Sequence, residues 1–371
     1  MEPQHFATAL EWLIELTLRP VLDGATVDKE REVLFAEGWG QKSRILEWLY
    51  AQGFGYDLNQ ALRRELFPGS PFSLTILGER DSLEAIDAAA IETYYKAHYR
   101  PDNMVLIVAG NVTPATLAEV VTDRWASVPA PTTPLPTVPA VQLAMQGPAH
   151  AVVRGPFPTD QVRLAYGFST PGRLSPDHWA LELLGEYLAL RLKRQVRYDL
   201  GLVYALWPEI MTYTDAGYLA IRTDGPRRDR DQILALIQQE LHTLVEEGVV
   251  DADFTLARNA RLGQAALAME DNMARAGYLA EWAAVLPPDA PAPDFRAKLA
   301  AVTADDLARV AATYNVPERQ FLAEHQPAVS GADLAWLAGG ALLLAGAGGG
   351  ALWWRRRAKA GGVRPAPHDS L

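Results

Sequence analysis

The apolar residues nearest the start of the chain fall at Phe6, Leu10, Leu13 and Leu16, with Glu11 and Glu15 between them and Pro20 just beyond. This spacing predicts a helix over residues 5–18. A second helix is expected from Thr26 or Asp28, where Asp28, Glu30 and Glu32 place negative charge in the first turns and so complement the helix dipole. Residues 84–99 read as a single helix that stops before Pro101, and Thr113-Pro114 opens another through about residue 127. Between these two, Met104–Ala109 is an unbroken apolar run closed by Gly110-Asn111, the pattern of a buried strand.

The segment from Pro129 to Pro139 carries five prolines in eleven residues. Proline has no N–H and a fixed φ, so this stretch is read as an extended linker rather than helix or central strand. A second unit follows it. Gln161–Phe168 and Gly217–Arg222 have strand patterns. Residues 175–197, 228–247, 251–286 and 303–314 have helical ones, and Ile233, Leu234, Ile237, Leu241 and Leu244 share a face of the second of these. Both units run from a strand into long helices.

The C-terminal region has a different character. Leu334 to Trp354 contains no charged residue and includes six glycines. A helix of that length rises about 1.5 Å per residue and matches a hydrocarbon core of roughly 30 Å. Trp336 near one end, Trp353-Trp354 at the other and Arg355-Arg356-Arg357 with Lys359 beyond fit aromatic belts and a cytoplasmic basic stop. The expectation is a single membrane span over 334–354, a juxtamembrane linker over 321–333, a basic cytoplasmic tail over 355–371 and main domains on the extracytoplasmic side. Met1-Glu2-Pro3-Gln4 has no basic start and leads into an amphipathic rather than continuously apolar stretch, so the sequence as it stands shows no export signal. That conflicts with the expected topology.

Composition narrows the function classes. With 34 basic against 45 acidic residues the net charge is -11, which argues against nucleic acid as the main partner. Cysteine is absent, which removes thiol nucleophiles, disulfides and cysteine-type zinc sites. At 371 residues the chain is long enough for two domain cores.

Three stretches carry candidate chemistry. The first is Lys29-Glu30-Arg31-Glu32-Val33-Leu34-Phe35-Ala36-Glu37, in which Glu30 and Glu37 stand two helical turns apart on one face. The second is Gly78-x-x-x-Ser82-Leu83-x-x-Ile86, then Tyr94-Tyr95-x-x-His98-Tyr99-Arg100-Pro101-Asp102-Asn103-Met104 and Val108-Ala109-Gly110-Asn111. Here the chemistry is structural: Pro101 stops a helix and Asn103 caps or turns. The third is Arg197-Tyr198-Asp199-Leu200-Gly201-Leu202-Val203-Tyr204. Read alone, Glu30 and Glu37 are ordinary exposed helix charges, Arg197 a surface arginine, Tyr204 a half-buried strand residue and His98 a packed or capping residue. Arg227-Arg228-Asp229-Arg230 reads as a solvated turn.

Together these stretches resemble the pitrilysin/insulinase family of zinc peptidases, which includes mitochondrial processing peptidase; the likeness extends over roughly residues 5–320. The resemblance implies an α+β fold of two similar units, each a mainly antiparallel sheet backed by helices, facing each other across a peptide chamber. Residues 1–128 would be the later part of an incomplete first unit, 129–145 the linker and 146–320 the second unit. It makes Glu37 the residual zinc-ligand position and Glu30 the carboxylate that supports a histidine ligand. Arg197 and Tyr204 become the substrate-holding pair, able to hydrogen-bond a peptide carbonyl or an oxyanion. The departure from the family is equally specific. None of His5, His98, His150, His178, His242, His325 and His368 forms H-x-x-E-H, the motif that binds zinc and activates water. The chain is therefore expected to hold no zinc by itself, zinc being the cofactor of a full-length parent. Two functions follow from the resemblance. One is a membrane-anchored peptidase-family member that lacks its catalytic segment, through a misplaced start or a true truncation. The other is a non-catalytic partner that lends Arg197 and Tyr204 to a zinc-motif paralogue, in a homodimer or heterodimer.

Overall fold

The computed structural model describes residues 5–38, 40, 45, 48, 57–125, 132–137, 141, 147–155, 160–327, 335, 336 and 339. Among the described residues, six α-helices precede the sheet: α1 (Phe6–Leu18), α2 (Gly24–Gly38), α3 (Leu58–Leu66), α4 (Arg80–Ala85), α5 (Ala88–His98) and α6 (Pro114–Trp125). The single helix expected over 84–99 is divided. Asp87 caps a new helix by accepting from the Ala90 N–H at 2.8 Å, which places the break at Ile86-Asp87. Tyr95 donates its hydroxyl to the Thr17 carbonyl at 2.8 Å and so joins α5 to the end of α1. The Arg100 side chain is buried, grips Asp102 through two bonds of 2.7 Å and donates to the Thr133 carbonyl. The Tyr-Arg-Pro-Asp-Asn stretch thereby ties part of the proline-rich segment to the helices before it.

The second unit contains a five-stranded sheet in the order β1 (Ala149–Gly155), β5 (Gln320–Pro327), β2 (Gln161–Pro171), β4 (Ala216–Pro226), β3 (Ala205–Thr212). β1 and β5 are parallel and every other pairing is antiparallel. The helices of this unit are α7 (His178–Leu192), α8 (Arg230–Glu247), α9 (Asp251–Ala268), α10 (Asn272–Ala283), α11 (Phe295–Ala301) and α12 (Ala304–Tyr314). The α+β architecture, a mainly antiparallel sheet backed by helices, is the one expected for this half of the chain.

Both faces of the sheet are covered. On one, Val162, Leu164, Tyr166 and Phe168 of β2 and Leu219 and Ile221 of β4 pack against Leu184 and Leu188 of α7, Ile233 and Ile237 of α8, and Leu307 and Val310 of α12. On the other, Ala165, Tyr218, Ala220, Phe321 and Ala323 meet Leu58, Leu62 and Leu66 of α3, with Phe67 beside them. A strand buried on both sides reads as a run of apolar residues rather than an alternation. That explains why β2 and β4 are legible in sequence and extend past their expected ends. At Gly167 a Cβ would lie 1.9 Å from the Leu219 carbonyl oxygen, so only glycine permits the approach of β2 to β4 there.

Three further expectations are corrected. The juxtamembrane linker expected over 321–333 begins instead as strand, because Gln320–Pro327 is β5 and pairs with both β1 and β2. Met104–Ala109 joins no sheet, and none of the N–H groups of residues 105–109 donates to a backbone carbonyl among the described residues. Val105 is exposed. The apolar run has strand composition, but a strand requires a neighbour to take its hydrogen bonds. The expected solvated turn at Arg227–Arg230 holds only in part. Arg228 is solvated, but Arg230 reaches back to the sheet and grips Glu324 with bonds of 2.7 and 2.9 Å.

The expected membrane span over 334–354 lies outside the described residues except for Ala335, Trp336 and Gly339, which are helical. Among the described residues no helix is long and apolar enough to cross a membrane.

Unpaired backbone makes a direct prediction. By native-state hydrogen exchange, the amides of Val105–Ala109 exchange at least tenfold faster than those of Leu164–Phe168 at the sheet centre, on the order expected for local against global opening. Equal protection of the two segments would contradict the unpaired geometry.

Candidate functional site

Three arginines line the end of α7 and its continuation: Arg191, Arg194 and Arg197. Cations here complement the negative end of the helix dipole. Arg191 and Arg194 are both neutralised, bonding Asp253 at 2.8 and 3.1 Å, and Arg191 also bonds Glu240. Arg197 has no carboxylate within ion-pair distance among the described residues.

Arg197 sits on a π-helical turn, Lys193–Asp199. The wider turn closes with the Leu200 N–H donating to the Gln195 carbonyl at 3.1 Å and the Leu202 N–H to that of Val196 at 2.9 Å. Gly201 follows with φ +63, and the chain then enters β3. Turns of this kind are uncommon and concentrate at functional sites. The local sequence explains the shape. Val196 and Val203 are buried and pin the segment at two points, so the polar residues between them turn outward. Tyr198 is 68% exposed and Tyr204 85%, values that leave both rings open to a ligand. The Arg197 Cζ lies 5.2 Å from the ring centre of each. Cation–π contact reaches to about 6 Å, so both rings hold the guanidinium.

The two residues singled out as a substrate-holding pair are therefore brought together. Tyr204 is exposed rather than the half-buried strand residue that it would otherwise be, because it lies one residue before β3. Tyr198 was missed by sequence reasoning. Adjacent residues do not face each other on an α-helix, and the one available signal was its aromatic character beside Arg197.

Glu30 and Glu37 lie on α2, both exposed and without a hydrogen bond or ion pair among the described residues. The inward side of α2 is carried by Val27, by Arg31, which bonds Asp28 and the Ile86 carbonyl, and by Phe35, whose ring lies 5.0 Å from the Arg80 guanidinium. The two carboxylates share the outer side, as their spacing predicts. The donor set does not fit a catalytic zinc. Such a site needs three protein ligands, and no group of three His, Asp or Glu residues able to hold a metal occurs among the described residues. His98 is packed, with its ring 4.2 Å from that of Tyr94.

A second polar cluster, absent from sequence reasoning, supports β5. Glu324 is 1% exposed and accepts from Arg230 and from His150 Nε2, the latter at 2.7 Å. Burial raises its pKa, but the Arg230, Gln326 and His150 hydrogen bonds prevail and bring it down to about 2. The partners are 94 and 174 residues away, which is why neither was visible locally.

The fold is that of a peptidase M16 unit. Residues 85–261 match the model described as the peptidase M16 inactive domain. A crystal structure of a protease from Helicobacter pylori superposes with a TM-score of 0.73 at 19% identity, over 88% of this chain and 78% of that one. An uncharacterized zinc protease of Mycobacterium leprae is 26% identical over 213 residues, 56% of this chain and 47% of its own length. The beta subunit of the mitochondrial-processing peptidase of Blastocladiella emersonii is 24% identical over 188 residues, 50% of this chain and 37% of its own. These matches support the likeness to the pitrilysin/insulinase family read from the sequence, and the 371 residues contain no H-x-x-E-H. It spans about half the length of the curated relatives it matches, 47% and 50% for two of them.

Two stability tests follow. A Cβ at Gly201 meets nothing, so Gly201→Ala carries only the backbone penalty of a left-handed residue, about 1 kcal/mol by denaturant unfolding, and Gly201→Asn costs less. Equal cost for the two would refute a conformational origin. The folded-state pKa of Glu324 lies below its unfolded value of 4.5, so its contribution is complete above pH 4.5 and disappears as pH falls towards 2. Glu324→Gln removes the buried charge partner of Arg230, leaving it only the exposed Asp231, and is expected to cost about 3 kcal/mol at pH 7. It also flattens the stability profile between pH 4.5 and 2, and a profile unchanged by the substitution would remove Glu324 as the titrating group.

Proposed function

We propose that this chain forms the substrate-holding side of a pitrilysin/insulinase-type peptide chamber and is catalytically incomplete by itself. The observation that carries the reading is the Arg197–Tyr204 contact: a guanidinium with no acid partner among the described residues, beside an exposed phenol. Both groups donate hydrogen bonds to carbonyl oxygens, and a charged donor is the stronger kind. In this reading an extended peptide is the ligand, and Arg197 with Tyr204 aligns its backbone. The zinc-binding H-x-x-E-H comes from polypeptide outside these residues, either coded upstream in frame or carried by a paralogue. Glu37 is the position that such a segment would complete as a third ligand, with Glu30 supporting it. The unpaired backbone of Met104–Ala109 supports a first unit that receives further strands from the same source.

The partner form of this reading draws on the beta-subunit relative, whose name marks it as one member of an assembly. The membrane part rests on sequence: the uncharged stretch 334–354 and its basic stop support a single-pass anchor, main domains outside the cytoplasm and the tail 355–371 within it.

The test is reconstitution. Purified alone, the chain holds no stoichiometric zinc by elemental analysis and cleaves no peptide. Co-expressed with a zinc-motif paralogue, or extended by an upstream in-frame H-x-x-E-H segment, it yields peptidase activity. Arg197→Ala lowers kcat/KM of that preparation by about 10–100-fold, the loss expected for a charged hydrogen bond to substrate. Full activity in the Arg197→Ala preparation, or one zinc per chain in the isolated protein, would overturn the reading.

A further inference from the structure

Arg197 is held by rings rather than by acids, and this sets what it can recognise. An arginine on a protein surface has rotamer freedom to lose when it binds, and a contact that restrains it beforehand lowers that cost. Arg191 and Arg194 are restrained by Asp253 and Glu240, which together also offset their charge. Tyr198 and Tyr204, each 5.2 Å from the Arg197 Cζ, restrain the guanidinium and leave its charge intact. A ring contact neutralises no charge, and the five guanidinium N–H donors have no acid partner among the described residues. Asp199, two residues on, is exposed and makes no ion pair with it among the described residues.

We propose that Tyr198 is a positioning residue and that Tyr198, Arg197 and Tyr204 together form a carboxylate-recognition site, taking an acidic side chain of an extended peptide. The proposal rests on the peptide-holding function above and adds a substrate preference to it. The planar fork of a restrained arginine matches the two oxygens of a carboxylate better than the single oxygen of an amide. Tyr198 acts through Arg197: its ring face is the contributing group, and its hydroxyl is dispensable. Phenylalanine therefore replaces it and leucine does not.

The experiment uses the full chain and two fluorescein-labelled decapeptides that differ only in one central residue, Asp or Asn. The wild type is expected to bind the Asp peptide about 5–10-fold more tightly by fluorescence anisotropy, in the range of a charge-assisted bond. Tyr198→Leu weakens the Asp peptide about 3–5-fold, a loss typical of an exposed cation–π contact, whereas Tyr198→Phe binds as the wild type does. The side-chain Nε–Hε resonance of Arg197, assigned by its loss in Arg197→Lys, reports the clamp directly. Ring currents shift it in the wild type and in Tyr198→Phe, and the shift diminishes in Tyr198→Leu. An unmoved resonance in Tyr198→Leu overturns the clamp. A moved resonance with unchanged affinity overturns the positioning role, and equal binding of the Asp and Asn peptides overturns carboxylate preference. If neither peptide binds the wild type, the peptide-holding function itself fails, and the resonance still decides separately whether Tyr198 restrains Arg197.

Discussion

The described structure depends on the pairing of β2 with β4, because both faces of that pair are apolar and both must be covered. Their register runs unbroken from Gln161 opposite Pro226 to Pro171 opposite Ala216. The face carrying Leu164, Tyr166 and Phe168 is covered by helices that follow it in sequence. The face carrying Ala165, Tyr218 and Ala220 is covered by α3, which ends at Leu66, about 100 residues before Ala165. Burial of Leu58, Leu62 and Leu66 there, at roughly 1.5–3 kcal/mol each, makes the early helices and the later sheet one structure. A polar contact reinforces the join: Arg222, on the α3 face of β4, bonds both Glu209 of β3 and Asn59 of α3.

From that sheet the position of the site follows. α7 lies across the sheet beneath β3, and Gly185 admits the Ile210 and Pro208 side chains against the helix. The connection between the two elements must therefore be short and must turn sharply. The π-helical turn and Gly201 meet this requirement, and the residues carried on the outside of the turn are Arg197, Tyr198 and Tyr204. The site is a consequence of packing: Val196 and Val203 hold the segment from inside, and the residues that can contact a ligand are those that cannot be buried.

How much of this was legible in sequence depended on whether the stabilising partner was local. β2 and β4 declare themselves as apolar runs, and α8 and α12 by apolar faces that repeat with a fixed period. β1, β3 and β5 do not. β3 contains Trp207-Pro208-Glu209, and proline is tolerated there because β3 is an edge strand. β5 places Glu324 in the middle of the sheet, where only Arg230 and His150, far away in sequence, make it acceptable. Met104–Ala109 is the converse case. Its composition is that of a strand, and the structure denies it a partner among the described residues. Composition sets what a segment is suited to pair with, whereas pairing itself is decided by what lies beside it.

The site shows the same division. The spacing of Arg197 and Tyr204 was readable through a family resemblance, but neither their contact nor the part played by Tyr198 was. On a continued α-helix, residues one and seven positions apart could not both converge on one guanidinium. Departure from the α-helix at Lys193 is what allows it, and that departure is enforced by contacts of Val196, Leu202 and Val203 with the core rather than by any signal in the motif itself. The same reasoning explains why Arg197 keeps its charge available. Asp253 lies at the first turn of α9 and reaches Arg191 and Arg194 along the straight part of α7 and its first continuation. The chain then turns away, and the third arginine passes out of reach of that acid and into reach of two phenols.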